Sequence, residues 1–243
     1  SQLLAAMVPN CISYDPTYGY ELTVIMHSGL QRMFVDKENI FYYLTVMNEN
    51  YQQPAMPVGA EEGIIKGLYL LEEGKKSAKK KVQLMGSGTI LREVRAAAEI
   101  LRDDYGVESD VWSATSFNEL RREALDCSRW NLLHPEDKPR VSYVTECLAE
   151  RKGPVIASTD YMKVFADQIR EFVPANYVVL GTDGFGRSDT RAKLREFFEV
   201  NRYYVVVAAL KALADEGTIK PAEVSAAIKK FNINPEKPNP TTV

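Results

Sequence analysis

Residues 81–107, KVQLMGSGTILREVRAAAEILRDDYGV, decide the fold. A short β-permissive run over 81–85 meets Gly86-Ser87-Gly88, where two glycines permit a reversal that a Cβ would resist. Ile90, Leu91, Val94, Ala97, Ala98 and Leu101 then recur at helical spacing, with Ser87 or Thr89 available as a cap and Gly106 as a stop. Residues 108–113 read as a second strand. This is a βαβ unit, and the alternation of strands and helices continues to about residue 198, which predicts an α/β domain with a parallel sheet. The glycine turn is not a dinucleotide fingerprint. Leu91 stands where the third glycine belongs, and no acidic residue closes the second strand.

Working outward, residues 7–14 read as a strand, and Asp15-Pro16 as an N-cap with proline in the first turn. The helix that follows should bury Leu22, Ile25, Met26, Leu30, Met33 and Phe34. Residues 40–47, IFYYLTVM, read as a buried strand. A βαβ unit that is apolar on both sides of its second strand needs neighbours. Residues 1–58 are therefore expected to be the end of a sheet that begins before Ser1. Residues 48–59 form a polar, proline-bearing loop at the carboxyl end of a strand, the edge where open α/β sheets bind ligands. A helix is expected over 62–71 and a solvated charged connector over 72–81, with the domain boundary there. Helices follow over 117–126, 141–150, 201–216 and 221–231, the 127–140 stretch reading as a loop. Further strands are expected over 154–158 and 177–181. Thr159-Asp160 and Asp189 read as helix caps, and residues 232–243 as a loose tail.

Composition excludes several classes. The 243 residues are 45% hydrophobic and 26% charged, with a net charge of −3 that leaves no basic footprint for nucleic acid. Three scattered cysteines make neither a disulfide framework nor a zinc site and favour a reducing compartment. No apolar run approaches the ~20 residues of a membrane span. His27 and His134 lack partners at catalytic or ligand spacing. Thr182-Asp183-Gly184 resembles the Gly-Asp-Gly diphosphate and metal signature of thiamine enzymes, but the first glycine is missing and Asn201 follows too closely. A glycine-rich loop in which Asp183 and Arg187 pair locally is the better reading. Glu49 stands apart: a carboxylate between two asparagines on a loop leaving a strand is where an α/β fold presents chemistry.

PNCISYDP (9–16), NENY (48–51), PAMPVGAEEG (54–63), GSGTILREVRAAAEIL (86–101), CSRWNLLHP (127–135), ASTDYMKVFADQIR (157–170) and VLGTDGFGRSDTR (179–191) together resemble the homodimeric, thiamine-diphosphate-dependent pyruvate dehydrogenases. The resemblance spans the whole chain and corresponds to the carboxyl-terminal portion of that much longer enzyme. It implies the end of a pyrimidine-binding domain over 1–58, a helix and charged linker over 59–79, a transketolase-type C-terminal α/β domain over 80–231, and a tail over 232–243. Decarboxylation of pyruvate on thiamine diphosphate with Mg, and acetyl transfer to the lipoyl group of a dihydrolipoyl acetyltransferase, are the implied activity and partner, in a cytoplasmic homodimer. By the same resemblance Glu49 and Gln52 are catalytic, with Asn48, Tyr51 and Tyr14 near substrate or cofactor. Some members carry a histidine where this chain has Gln52, whose amide donates a hydrogen bond but does not titrate. No metal ligand, and no bound cofactor, is expected from these residues alone. A non-enzymatic dimerisation module and a transketolase-type enzyme are the rival expectations.

Overall fold

The computed structural model describes residues 1–243. In chain order it contains α1 (Gln2–Ala6), β1 (Cys11–Tyr14), α2 (Gly19–Leu30), β2 (Phe41–Leu44), α3 (Glu61–Lys66), β3 (Tyr69–Glu72), β4 (Lys81–Gly86) and α4 (Leu91–Tyr105). β5 (Glu108–Ser113), α5 (Phe117–Leu133), α6 (Tyr143–Leu148), β6 (Val155–Ser158), α7 (Lys163–Asp167), β7 (Tyr177–Leu180), α8 (Arg191–Phe197), α9 (Arg202–Asp215) and α10 (Pro221–Lys230) follow. β1 and β2 form a two-stranded parallel sheet, and the other five strands form a sheet of order β3-β5-β4-β6-β7. Four of those five run parallel, so the α/β expectation with a mostly parallel sheet holds.

Period-2 alternation distributes β4 between two cores. Val82 and Leu84 pack with α4, α9 and α10 residues such as Val94, Leu101, Leu210 and Val224. Met85 points the other way, into the layer with Phe117, Leu120, Val144 and Phe165. The large sheet is thus covered on both faces, as parallel strands require. Gly86 makes the turn into α4 possible, because a Cβ there would stand 2.6 Å from the Leu91 Cα. α4 ends on Gly106 at φ 61°.

Several expectations give way to tertiary structure. The 62–71 helix stops at Lys66, because Gly67 at φ 101° reverses the chain and Tyr69–Glu72 then adds to β5 as an antiparallel edge strand. The 59–79 segment is therefore not only helix and linker. Residues 127–133 continue α5, since nothing breaks the helix before Pro135. The first strand is only Cys11–Tyr14, with a short helix ahead of it. Asp15-Pro16 does not cap α2, whose N-cap is Tyr18 and whose first turn is closed by the Glu21 carboxylate accepting from the Thr17 and Tyr18 amides. Ser87 and Thr89 make no side-chain cap, nor do Thr159 and Asp160; Ser87 and Thr159 instead share a 3.0 Å hydrogen bond. Thr190, not Asp189, caps α8. The tail docks: Lys237 Nζ donates to the Phe197 carbonyl at 2.6 Å and Pro240 is buried. Within the N-terminal unit, Ile25 is buried, but Met26, Leu30 and Phe34 are exposed, and β2 has no neighbour beyond β1. Half of the stripe read as core, Met26, Leu30 and Phe34, therefore faces outward.

Candidate functional site

The chain order reverses at β4, whose neighbours are β5 on one side and β6 on the other, and such switch points open a crevice at the carboxyl ends of the strands. Here the crevice is filled from the small sheet. The Gly88 amide donates to the Asp15 carbonyl at 3.0 Å, the Asp15 amide to the Thr115 carbonyl at 2.8 Å, and the Thr17 hydroxyl to the Gly88 carbonyl at 2.6 Å. Gly88 is needed for this approach: at φ 50°, a Cβ would stand 2.6 Å from Asp15 Oδ2. Thr45 Oγ1 donates to Asp15 Oδ1 at 2.7 Å, while Oδ2 is buried without a partner. Desolvation pushes the Asp15 carboxyl up to about 6. The junction is largely polar at this edge, beside an apolar patch in which Ile12, Tyr14 and Ile25 pack on Ile64 and Tyr69. Glu21 is buried in the junction and accepts from Tyr69 Oη and Ser113 Oγ, each at 2.6 Å, which ties α2 to the large sheet, although desolvation still raises its carboxyl.

The open site lies beside that plug. The loop leaving β2 carries Asn48, Glu49 and Tyr51 across the first turn of α4 and onto α8. Arg92 Nη1 stands 2.5 Å from Glu49 Oε1, Arg195 Nη2 3.0 Å from Glu49 Oε2, and Arg191 Nε 3.6 Å from the same oxygen. Arg191 Nη2 donates to Asn48 Oδ1 at 2.7 Å. The Arg92 guanidinium lies 4.6 Å over the Tyr51 ring, whose hydroxyl donates to the Thr17 carbonyl. Arg195 also reaches Glu93 at 3.4 Å, and Arg202 holds Glu93 at 2.9 Å. Burial alone would raise the Glu49 carboxyl, but the hydrogen bonds from Arg92 and Arg195 outweigh it and hold the group below its ordinary range. Glu49 is therefore an anion at neutral pH. It can orient cations and donors, and it is no proton donor there.

A cavity of about 250 Å³ adjoins this cluster, lined among others by Met47, Asp160, Arg187, Arg191, Leu194 and Arg195. Of the residues singled out from the sequence, Asn48, Glu49 and Tyr51 come together here. Gln52 is exposed, with no hydrogen bond to its side chain. Tyr14 stands elsewhere: it is buried, donates to the Ile65 carbonyl at 2.7 Å and stacks on Tyr42. Asp183 accepts from the Lys163 amide at 3.1 Å and Arg187 lies over the Phe197 ring, so the two do not pair as expected. His134 stacks on Trp130 with centroids 4.4 Å apart. Sequence reading missed Arg92, Arg191 and Arg195. Only the i, i+4 spacing of the last two hinted that they share a helix face.

Residues 67–201 match the transketolase-like C-terminal domain family. The chain belongs to that family. Residues 1–54 match the middle domain of the pyruvate dehydrogenase E1 component. Along 99% of its length the chain is 65% identical to the "Pyruvate dehydrogenase E1 component" of Pseudomonas aeruginosa, of which it covers 27%. The proteins of the same name from Cupriavidus necator and Escherichia coli are 60% and 59% identical, again with 27% covered. The chain thus spans about a quarter of the length of these relatives. Among solved structures, a split-gene transketolase (an inactive β4 tetramer) superposes with a TM-score of 0.56 at 16% identity, over 87% of this chain and 60% of that one. A transketolase from Leishmania mexicana gives 0.53 at 16%, over 88% and 27%. These two likenesses establish the fold. No helix is long and apolar enough to cross a membrane.

Proposed function

We propose that this chain is the carboxyl-terminal part of a pyruvate dehydrogenase of the E1 type, which decarboxylates pyruvate on thiamine diphosphate with Mg and passes the acetyl unit to the lipoyl group of a dihydrolipoyl acetyltransferase. The observation that carries the reading is identity of 59–65% along 99% of the chain to proteins named for that component. On this reading residues 1–58 end the pyrimidine-binding domain, the C-terminal domain expected over 80–231 extends back to include β3, and the parent works as a cytoplasmic homodimer.

The residues present do not fit the diphosphate and its cation. The one Asp-Gly loop resembling the thiamine signature has Thr182 in place of its first glycine and no Asn at the signature's spacing, and Asp183 accepts from the Lys163 amide. Chemistry on the cofactor is the work of other parts of the parent. This chain contributes the edge of the site: Glu49 as a fixed negative charge, with Gln52 as a donor reaching substrate and with Asn48 and Tyr51 nearby, whereas Tyr14, buried against Tyr42, stands away from it. The arginines give Glu49 its position and its ionisation.

Pyruvate-dependent reduction of an artificial acceptor by the full-length protein, with and without thiamine diphosphate, tests the reading. Activity that requires the cofactor is expected; a full-length protein inert toward pyruvate refutes it. Titration of thiamine diphosphate with Mg into the 243-residue chain should give no saturable heat, and micromolar binding would place a complete site within it. A second reading, an α/β association module, is favoured by the exposed Met26, Leu30 and Phe34 face.

A further inference from the structure

We propose that the cavity between the 182–189 loop and α8 binds a small multivalent oxyanion of the phosphate type, held by Arg187, Arg191 and Arg195. At about 250 Å³ it falls just below the range of roughly 300–1,000 Å³ that takes drug-sized ligands, so it suits an ion or a compact phosphate ester. Three guanidiniums line it. Arg191 and Arg195 project from one face of α8, and Arg187 reaches the cavity from the loop that precedes the helix.

Arg187 makes the case. It forms no ion pair or hydrogen bond, yet its guanidinium is set 4.7 Å over the Phe197 ring, which fixes its plane and leaves its donors free. Arg191 donates to Asn48 Oδ1 at 2.7 Å but holds Glu49 only loosely, at 3.6 Å, and Arg195 is largely buried, with 12% of its side chain exposed. Met47, Leu194 and Phe198 supply an apolar wall that strengthens charge–charge attraction. Gly186 leaves open space where a Cβ would stand, so the loop backbone offers no obstruction. Two carboxylates face this site. Glu49 is engaged on Arg92 and Arg195; the Asp160 carboxyl is raised by desolvation, and the arginines outnumber these two carboxylates.

The anion and Glu49 share Arg191 and Arg195, and that sharing gives the site a thermodynamic signature. Coupling is reciprocal, so removing the Glu49 charge must strengthen anion binding. This inference is independent of the catalytic reading, because its test measures no turnover.

Inorganic phosphate is titrated calorimetrically into the 243-residue chain at constant ionic strength. Saturable one-site binding is expected. Arg187→Ala should weaken it about tenfold, the loss of one hydrogen bond to a charged group. Glu49→Gln should tighten it about fivefold. Arg151→Ala, in the separate polar cavity that also contains Lys76, Lys81 and Lys152, should leave the affinity unchanged. Absence of saturable phosphate heat, unchanged affinity in Arg187→Ala, or loss of binding in Arg151→Ala would each overturn the assignment.

Discussion

Arg195 Nη2 stands 3.0 Å from Glu49 Oε2, joining a loop that leaves the small sheet to a helix 146 residues further along the chain. The same guanidinium reaches Glu93 on α4, so one side chain links the β2 loop, α4 and α8. Arg195→Met should cost about 2 kcal/mol of stability. That is less than the 3–5 kcal/mol of an isolated buried pair, because Arg92 still holds Glu49 and Arg202 still holds Glu93. Urea unfolding measures it, and a loss under about 0.5 kcal/mol would mean that the network does not couple these elements.

Glu49 itself should matter more to turnover than to folding. In the full-length protein, Glu49→Gln keeps the shape but removes the charge, and turnover is expected to fall tenfold or more. Full activity combined with a lower melting temperature would reduce Glu49 to a structural anchor. The pH dependence has a definite sign. The carboxyl is held below its unfolded value of 4.5, so its stabilising contribution is complete above that pH and is lost as pH falls through the depressed value.

Gly86→Ala should destabilise the chain by about 3 kcal/mol, because the new methyl would sit 2.6 Å from the Leu91 Cα in a fully packed turn that has no flexible neighbour to yield. Chemical denaturation of the variant beside the parent chain reads this directly. A change within about 0.5 kcal/mol would show that the turn relaxes freely.

The turn at Gly86 and its flanking strand and helix were legible because everything that makes them is local: a strand, two glycines, an amphipathic repeat and a glycine stop. β3 was not. Tyr69–Glu72 is a strand only because β5 offers it an antiparallel edge, and no spacing within residues 62–71 records that partner. The stripe Met26, Leu30, Phe34 was legible as apolar but not as exposed, since exposure depends on what lies opposite. At the site, Glu49 was legible from its place after a strand. Its arginines were not, because they arrive from 43 and 146 residues away and only the fold brings them together.

Asp15 should give the junction between the sheets a pH response opposite in sign to that of Glu49. Its carboxyl is pushed up to about 6 from 3.8, so the folded state favours the protonated form. Its contribution is complete below pH 3.8 and is lost as pH rises through 6, a change on the order of 3 kcal/mol. Asp15→Asn should therefore flatten the difference in unfolding free energy between pH 5 and pH 7.5. A parallel pH profile for variant and parent would show that desolvation is relieved by water at Oδ2.

The outward face of α2, of the π-helical turn Gln31–Val35 that continues it and of β2 should make the isolated chain self-associate. Phe34 is 71% exposed, Met26, Leu30 and Phe41 about half exposed, and β2 presents an unpaired edge beside them. Large apolar side chains gathered next to an open strand edge are a template for association. Sedimentation velocity at rising concentration should show reversible dimers or larger species. Phe34→Glu should shift the distribution toward monomer, since it places a charge in the contact at a position too exposed to disturb the core. The buried contacts of Ile25, Tyr14 and Ile64 lie on the other side of the helix and stay intact, so the melting temperature should hardly move. A chain that remains monomeric at 100 μM, or a Phe34→Glu variant that associates as strongly as its parent, would show that this face is not the contact.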